Sequence, residues 1–174
     1  MELQSAIDER RSIRKFTDAP VSKEVLIEAI KNGIKAPSAH NRQPWKFKIV
    51  TKKEKNKIAE LLYDSTKDIP GHTGPHTANI IKEVPELIVI FIDNQNHKER
   101  DMDIISIGAC IENVILSLVD KGLGTIWIGN TNIISKEISK FLNTPYETVS
   151  CLGVGTQAQF PHDRPRKNLE DVLL

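Results

Sequence analysis

The apolar positions of this chain change period several times, and each change marks an element. Val25, Leu26, Ala29, Ile30 and Ile34 recur at helical spacing behind the capping hydroxyl of Ser22 and the acidic Glu24. That pattern predicts an amphipathic helix over 23–35. Ala36-Pro37-Ser38 stops it, because proline disfavours helix in the residue before it. Trp45-Lys46-Phe47-Lys48-Ile49-Val50 alternates apolar with polar and predicts a half-buried strand. Residues 52–63 return to a helical period through Ile58, Leu61 and Leu62. Residues 64–78 hold Pro70, Gly71, Gly74 and Pro75 with no period, and read as a loop or lid. Leu87 to Ile92 is apolar throughout, as a central strand covered on both faces would be, and 93–102 is a polar connection.

The longest helical pattern covers 103–120, where Ile104, Ile107, Cys110, Ile111, Val114 and Leu118 belong to an apolar set wrapping most of the circumference. Such a helix belongs inside a fold or against another subunit. Lys121-Gly122 is a C-cap signal, followed by a strand at 123–128, a short capped helix at 135–142 and a last strand at 149–156. Residues 3–9 suit a short helix, and the tail 157–174 has no period of its own. Strands alternating with helices, without an internal repeat, predict a sandwich of mixed class.

Composition narrows the function classes. At 174 residues the chain is long enough for a real core, and its formal net charge of +1 does not suit a dedicated nucleic-acid binder. Met1-Glu2-Leu3-Gln4 opens no signal-peptide pattern, and the longest apolar run is too short to span a bilayer, so a soluble cytoplasmic protein is expected. Cys110 and Cys151 lack metal-type spacing and read as buried small hydrophobes. His72 and His76 stand four apart among prolines and glycines without a third ligand nearby, so no metal site is expected. Gly122-Leu123-Gly124 and Gly153-Val154-Gly155 do not meet the dinucleotide-loop pattern and suit tight turns and close backbone approach.

Three stretches carry candidate chemistry. Arg10-Arg11-Ser12-Ile13-Arg14-Lys15 gathers four cations and a hydroxyl in a nearly neutral chain. It reads either as a solvated turn or as a cradle for a small anion such as phosphate, which arginine grips at two points. Pro37-Ser38-Ala39-His40-Asn41-Arg42-Gln43-Pro44-Trp45 offers hydroxyl and amide groups on a proline-stiffened loop, suited to the edge of a heteroaromatic ring or simply to a turn. Phe160-Pro161-His162-Asp163-Arg164-Pro165-Arg166-Lys167 adds a second local set of cations, which together with the first could clamp one phosphate.

In this order, and with the Gly-Leu-Gly-Thr-Ile-Trp-Ile-Gly strand at 122–129, these stretches resemble the FMN-dependent nitroreductase family across essentially the whole chain. The resemblance implies a single α+β domain over 1–174, a three-layer sandwich whose central sheet is mixed but mainly antiparallel. It implies an intertwined homodimer with FMN at the interface and the tail, about 157–174, wrapping the partner. Carried over, Arg10, Arg11, Ser12 and Arg14 would hold the FMN phosphate, ribityl chain and pyrimidine edge, and Arg164 and Arg166 would complete the phosphate clamp. Pro37, Ser38, Ala39 and Asn41, with Gln43 nearby, would come from the opposite subunit, and the backbone of Gly129 would face the hydride-accepting nitrogen. The implied activity is ping-pong transfer of two electrons from NAD(P)H through FMN to a nitroaromatic, quinone or similar small acceptor, with no catalytic side chain. Specialised flavin chemistry, with flavin as substrate, and a non-enzymatic flavin carrier or sensor are the alternatives. Region 63–79 lacks the acidic, tyrosine and lysine lid set expected of a halotyrosine deiodinase.

Overall fold

A computed structural model describes residues 1–93 and 99–174. The helices are α1 (Leu3–Glu9), α2 (Lys23–Gly33), α3 (Lys52–Thr66), α4 (Gly74–Glu83), α5 (Arg100–Asp120) and α6 (Ser135–Phe141). The strands are β1 (Trp45–Ile49), β2 (Glu86–Ile92), β3 (Gly124–Ile128) and β4 (Glu147–Gly155). They form one sheet in the order β1-β2-β4-β3, every pair antiparallel. Beside this sheet an isolated parallel bridge, outside the strands, pairs Ser12 with Thr125.

β2 is interior and alternates between two cores. Ile88 and Ile90 face α2 and α5 together with Leu26, Ile111, Leu118 and Leu152. Leu87 and Val89 face the opposite layer with Ile58, Leu62, Ile81 and Cys151. A strand buried on both faces has no polar side to show, which is why its sequence is an unbroken apolar run. The architecture is therefore an α+β three-layer sandwich, as expected.

Local signals account for most boundaries. The Ser22 hydroxyl accepts the Val25 N–H at 3.3 Å, capping α2, and Thr51 with Glu54 forms a full capping box at α3. Gly122 adopts φ 75° after α5, where Leu123 N–H reaches back to the Leu118 carbonyl at 3.0 Å. The expected cap of α6 is absent: its N-cap is Ile134 and no side chain bonds there.

About half of the loop expected over 64–78 is helix instead, with 67–73 remaining a turn. α3 continues to Thr66, whose hydroxyl bonds the Leu62 carbonyl at 2.6 Å, and α4 begins at Gly74. Pro75 stands in the first turn of α4, where its missing N–H costs nothing. His76 is thus helical, while His72 Nδ1 accepts the Gly74 N–H at 2.9 Å. The polar connection over 93–102 lies partly outside the described residues, and its end, from Arg100, is the first turn of α5.

By length and composition α5 could cross a bilayer, but 50% of its most apolar window is buried in this fold. Asn32 of α2 donates to Ser117 of α5 at 2.9 Å, and Gly33 allows close approach beside that bond. A Cβ on Gly33 would lie 2.3 Å from Val114 Cγ2 and 3.1 Å from the Cys110 carbonyl. Replacing glycine by alanine within a helix ordinarily stabilises by about 0.5–1 kcal/mol. Here Gly33→Ala is expected to destabilise by about 1–3 kcal/mol through overpacking. A urea titration measures this, and an unchanged midpoint would contradict the close α2–α5 packing.

Lys55 is buried, with Nζ donating to the carbonyls of Val84 and, at 3.3 Å, Pro85. Desolvation lowers its pKa, and the Glu86 carboxylate opposes the shift. Burial pushes the thiols of Cys110 and Cys151 up to about 12. Both are 0% exposed, so a disulfide reagent is expected to label neither over minutes in buffer and both in denaturant. Rapid labelling of either cysteine in the folded protein would contradict this packing.

Candidate functional site

The two basic stretches, more than 140 residues apart in sequence, meet at one end of the sheet. Residues 12–17 run along the start of β3 and the end of β4. Ile13 N–H donates to Thr125 at 2.8 Å, Thr17 N–H to Thr156 at 2.9 Å, and Ala158 N–H to Lys15 at 3.0 Å. Gly155 permits this crossing, since a Cβ there would stand 2.6 Å from Pro85 and 2.8 Å from Phe16. The chain leaving β4 is thereby laid against the chain leaving α1.

The result is an open cavity of about 490 Å³ lined by Arg10, Arg11, Arg164 and Arg166 together with Asp8, Glu112 and Asp163. Arg10 Nε stands 3.7 Å from the Glu112 carboxylate, a loose pairing between partly exposed groups. Arg166 donates only to the Arg164 carbonyl, at 3.2 Å, and the Arg164 guanidinium has no ion pair among the described residues. Arg11 is more committed: it pairs with Asp163, caps the Asp8 carbonyl and donates to the Arg10 carbonyl at 2.8 Å. Its first duty is therefore to close the C-terminal end of α1, where a cation suits the helix dipole. Asp163 is 80% exposed and occupies the place where an incoming anion would compete. Arg14 is exposed and donates to the Ser12 carbonyl at 3.2 Å, outside the cavity lining.

The 37–43 loop is not brought to this cavity within one chain. Its anchors are at the beginning of α5, whereas Arg10 meets Glu112, nine residues later than Asp103 and roughly 14 Å along the helix axis. Ser38 Oγ accepts the Gln43 N–H at 3.0 Å, and Ala39 N–H donates to Ser106 Oγ at 3.2 Å. Gln43 reaches the Asn41 side chain at 3.3 Å, and Pro37 is exposed beside them. Three non-glycine residues here have left-handed backbone: His40 at φ 51°, Asn41 at 55° and Gln43 at 51°. Asparagine tolerates this region; for histidine and glutamine it stores about 1–3 kcal/mol each.

Arg42, not among the expected site residues, holds this loop down. Its Nε donates to Asp103 Oδ1 at 2.9 Å, its Nη2 approaches the same oxygen at 2.8 Å as a charge contact, and its Nη1 pairs with Glu99. Asp103 is 3% exposed. A cation at the centre of a polar loop was the visible signal. Its partner lies 61 residues away and no periodicity relates the two.

Gly129 follows β3 with φ −78°, a conformation open to any residue, and a Cβ there would meet nothing within 4 Å. Neither strain nor packing within the chain requires glycine at this position. It leaves an open cradle at the end of an edge strand, beside Asn130, whose side chain donates to Thr77 Oγ1 of α4 at 3.0 Å.

The fold is thus an antiparallel three-layer sandwich with an arginine-lined cavity at one end of its sheet and an amide-rich loop anchored on α5. The chain belongs to the nitroreductase family, whose family model matches residues 7–156. A Bacillus subtilis protein provisionally named NAD(P)H nitroreductase YfhC is 29% identical over 142 residues, covering 78% of this chain and 73% of that protein. A BluB-like flavoprotein from Clostridium difficile 630 superposes with a TM-score of 0.83 at 23% identity, covering 100% of this chain and 98% of the other. A provisionally named nitroreductase from Desulfovibrio desulfuricans, solved in complex with FMN, gives 0.82 at 24% identity, covering 100% and 96%.

Proposed function

We propose that this protein moves two electrons from NAD(P)H to a nitroaromatic, quinone or similar small acceptor in a ping-pong cycle. It is an NAD(P)H-dependent oxidoreductase of the nitroreductase family, and FMN is its cofactor. The observation that carries the reading is the convergence of Arg10, Arg164 and Arg166 on one cavity. Among the described residues these guanidinium groups have no close ion pair, and they suit a phosphate monoester. Bound FMN supplies the hydride acceptor and donor that no side chain here provides.

The residues would position and isolate that chemistry. Arg10, Arg164 and Arg166 would grip the phosphate, with Arg11 released from Asp163 to join them. Ser12 and Arg14, on the segment running beside β3, would follow the ribityl chain toward the ring. Gly129 lies four residues beyond Thr125, roughly 13 Å along an extended strand, and its open cradle would admit the flavin edge. Pro37, Ser38, Ala39, Asn41 and Gln43 would be delivered by a second copy, since their anchors on α5 keep them away from this chain's own arginine cavity. Exposed Met102, Ile105 and Trp127, and the exposed apolar tail residues Leu169, Val172 and Leu173, support a homodimer in which residues 1–174 act as one domain and the tail wraps the partner. A soluble cytoplasmic location completes the proposal.

The test is an absorbance spectrum of the purified protein, followed by anaerobic addition of NADH and then NADPH. A flavin band that bleaches and returns on adding menadione or a nitroaromatic is the expected result. A band that neither nucleotide bleaches would replace the reductase reading with a carrier. Flavin consumed on aerobic cycling would point to flavin as substrate, and failure to bind added FMN would overturn the proposal.

A further inference from the structure

We propose that Arg42 is a positioning residue whose ion pairs with Asp103 and Glu99 hold the 38–43 loop in its left-handed shape. This rests on the reading that the loop lies against FMN. Inside the loop the bonds are local: Asn41 N–H to the Ser38 carbonyl at 2.9 Å, Arg42 N–H to Ala39 at 3.1 Å, and Gln43 N–H to Ser38 Oγ at 3.0 Å. Such short-range bonds can form in several turn conformations and do not select one in which His40, Asn41 and Gln43 all have positive φ. Among the described residues the loop is tied to the rest of the fold by Ala39 N–H to Ser106 Oγ, by the two-acid grip of Arg42, and by a longer approach of His40 Nε2 to Glu99 at 3.9 Å.

All end on Glu99, the N-cap of α5, or on the first two turns of that helix. Asp103 and Ser106 are buried there, and the helix is locked into the core by Ile107, Cys110 and Ile111. The acidic Asp103 is itself favoured by the helix N-terminus, so it is a fixed point and Arg42 is the movable one. Because Arg42 lies between the left-handed Asn41 and Gln43, fixing its guanidinium fixes the backbone on either side. The same helix carries Glu112 against Arg10. In the proposed dimer each loop would meet the other subunit's arginines, so a loop held rigidly on its own α5 is presented to that cavity in one shape.

A simpler role for Arg42, neutralising a buried Asp103, makes different predictions. We would measure FMN dissociation constants by flavin fluorescence, and urea midpoints and amide exchange of the FMN-free protein. The variants are Arg42→Gln, Arg42→Gln with Asp103→Asn, and Arg42→Gln with His40→Gly. In the Arg42→Gln/Asp103→Asn protein no buried charge is left unpaired. We expect it to keep a near-native urea midpoint, to lose roughly tenfold or more in FMN affinity, and to exchange the amides of Asn41 to Gln43 faster. Adding His40→Gly to Arg42→Gln removes one left-handed side chain, along with its 3.9 Å approach to Glu99, and should recover at least about threefold of the affinity. Native affinity in the Arg42→Gln/Asp103→Asn protein, or no recovery from His40→Gly, would overturn the positioning role. Failure of the unmodified protein to bind FMN would defeat the flavin reading instead. The exchange rates would then decide the clamp: faster exchange in the variant supports it, and unchanged exchange overturns it.

Discussion

Replacing Arg10 and Arg166 together by alanine is expected to weaken FMN binding by about 10²–10⁴-fold, with little change in the stability of the FMN-free protein. Each guanidinium would make charge-assisted hydrogen bonds to the phosphate worth about 1.5–3 kcal/mol, and about 1.4 kcal/mol is a factor of ten. The cost to the fold is small because neither side chain is in the core. Arg10 leaves behind only the half-exposed Glu112 at 3.7 Å, which water can solvate, and Arg166 loses one bond to a neighbouring carbonyl. The single variants should lose less than half of the combined effect if a remaining arginine can re-aim at the phosphate. Fluorescence titration of FMN into each variant measures this. Unchanged affinity in the double variant would remove the phosphate from the Arg10–Arg166 cavity and with it the orientation proposed for the cofactor.

Leu118→Ala is expected to destabilise the fold by about 2–5 kcal/mol, lowering the melting temperature by roughly 4–20 °C. Leu118 is fully buried in the core between α5 and the sheet. Its carbonyl accepts both Lys121 N–H at 3.1 Å and Leu123 N–H at 3.0 Å, so the backbone around it is held and can relax little toward the hole. Leu118→Met keeps the volume and should cost less than about 1.5 kcal/mol. Thermal unfolding of the FMN-free protein separates the two. Equal melting temperatures for the alanine and methionine variants would mean that this part of the core collapses around the loss.

Most of the fold was legible because its elements are built on strong local regularities. The apolar run 87–92 marked the doubly covered strand, and the helical period through Ile104 and Val119 marked α5, because burial on each face leaves a direct trace in residue order. The stretch 64–78 failed for the same reason in reverse. α4 hides its start behind Gly74 and Pro75, and those residues punctuate a chain whether they open a helix or break one. Gly74 is chosen by tertiary contact, since a Cβ there would meet Thr66 Oγ1 at 2.1 Å.

The site divides along the same line. Residue order by itself determined which chemical groups were present: two arginine-bearing stretches, an amide-rich loop stiffened by prolines, and a glycine ending a strand. Charge density and side-chain chemistry are properties of adjacent residues and need no fold to be read. The tertiary structure decided which groups meet. Backbone pairing of residues 12–17 with the ends of β3 and β4 brings Arg164 and Arg166 to Arg10, while Arg11 is diverted to cap α1. The grip of Arg42 on Asp103 and Glu99 joins residues about 60 positions apart, and it exists only once α5 is packed. Contacts of that kind depend on where two rigid elements cross, a quantity that no local period encodes.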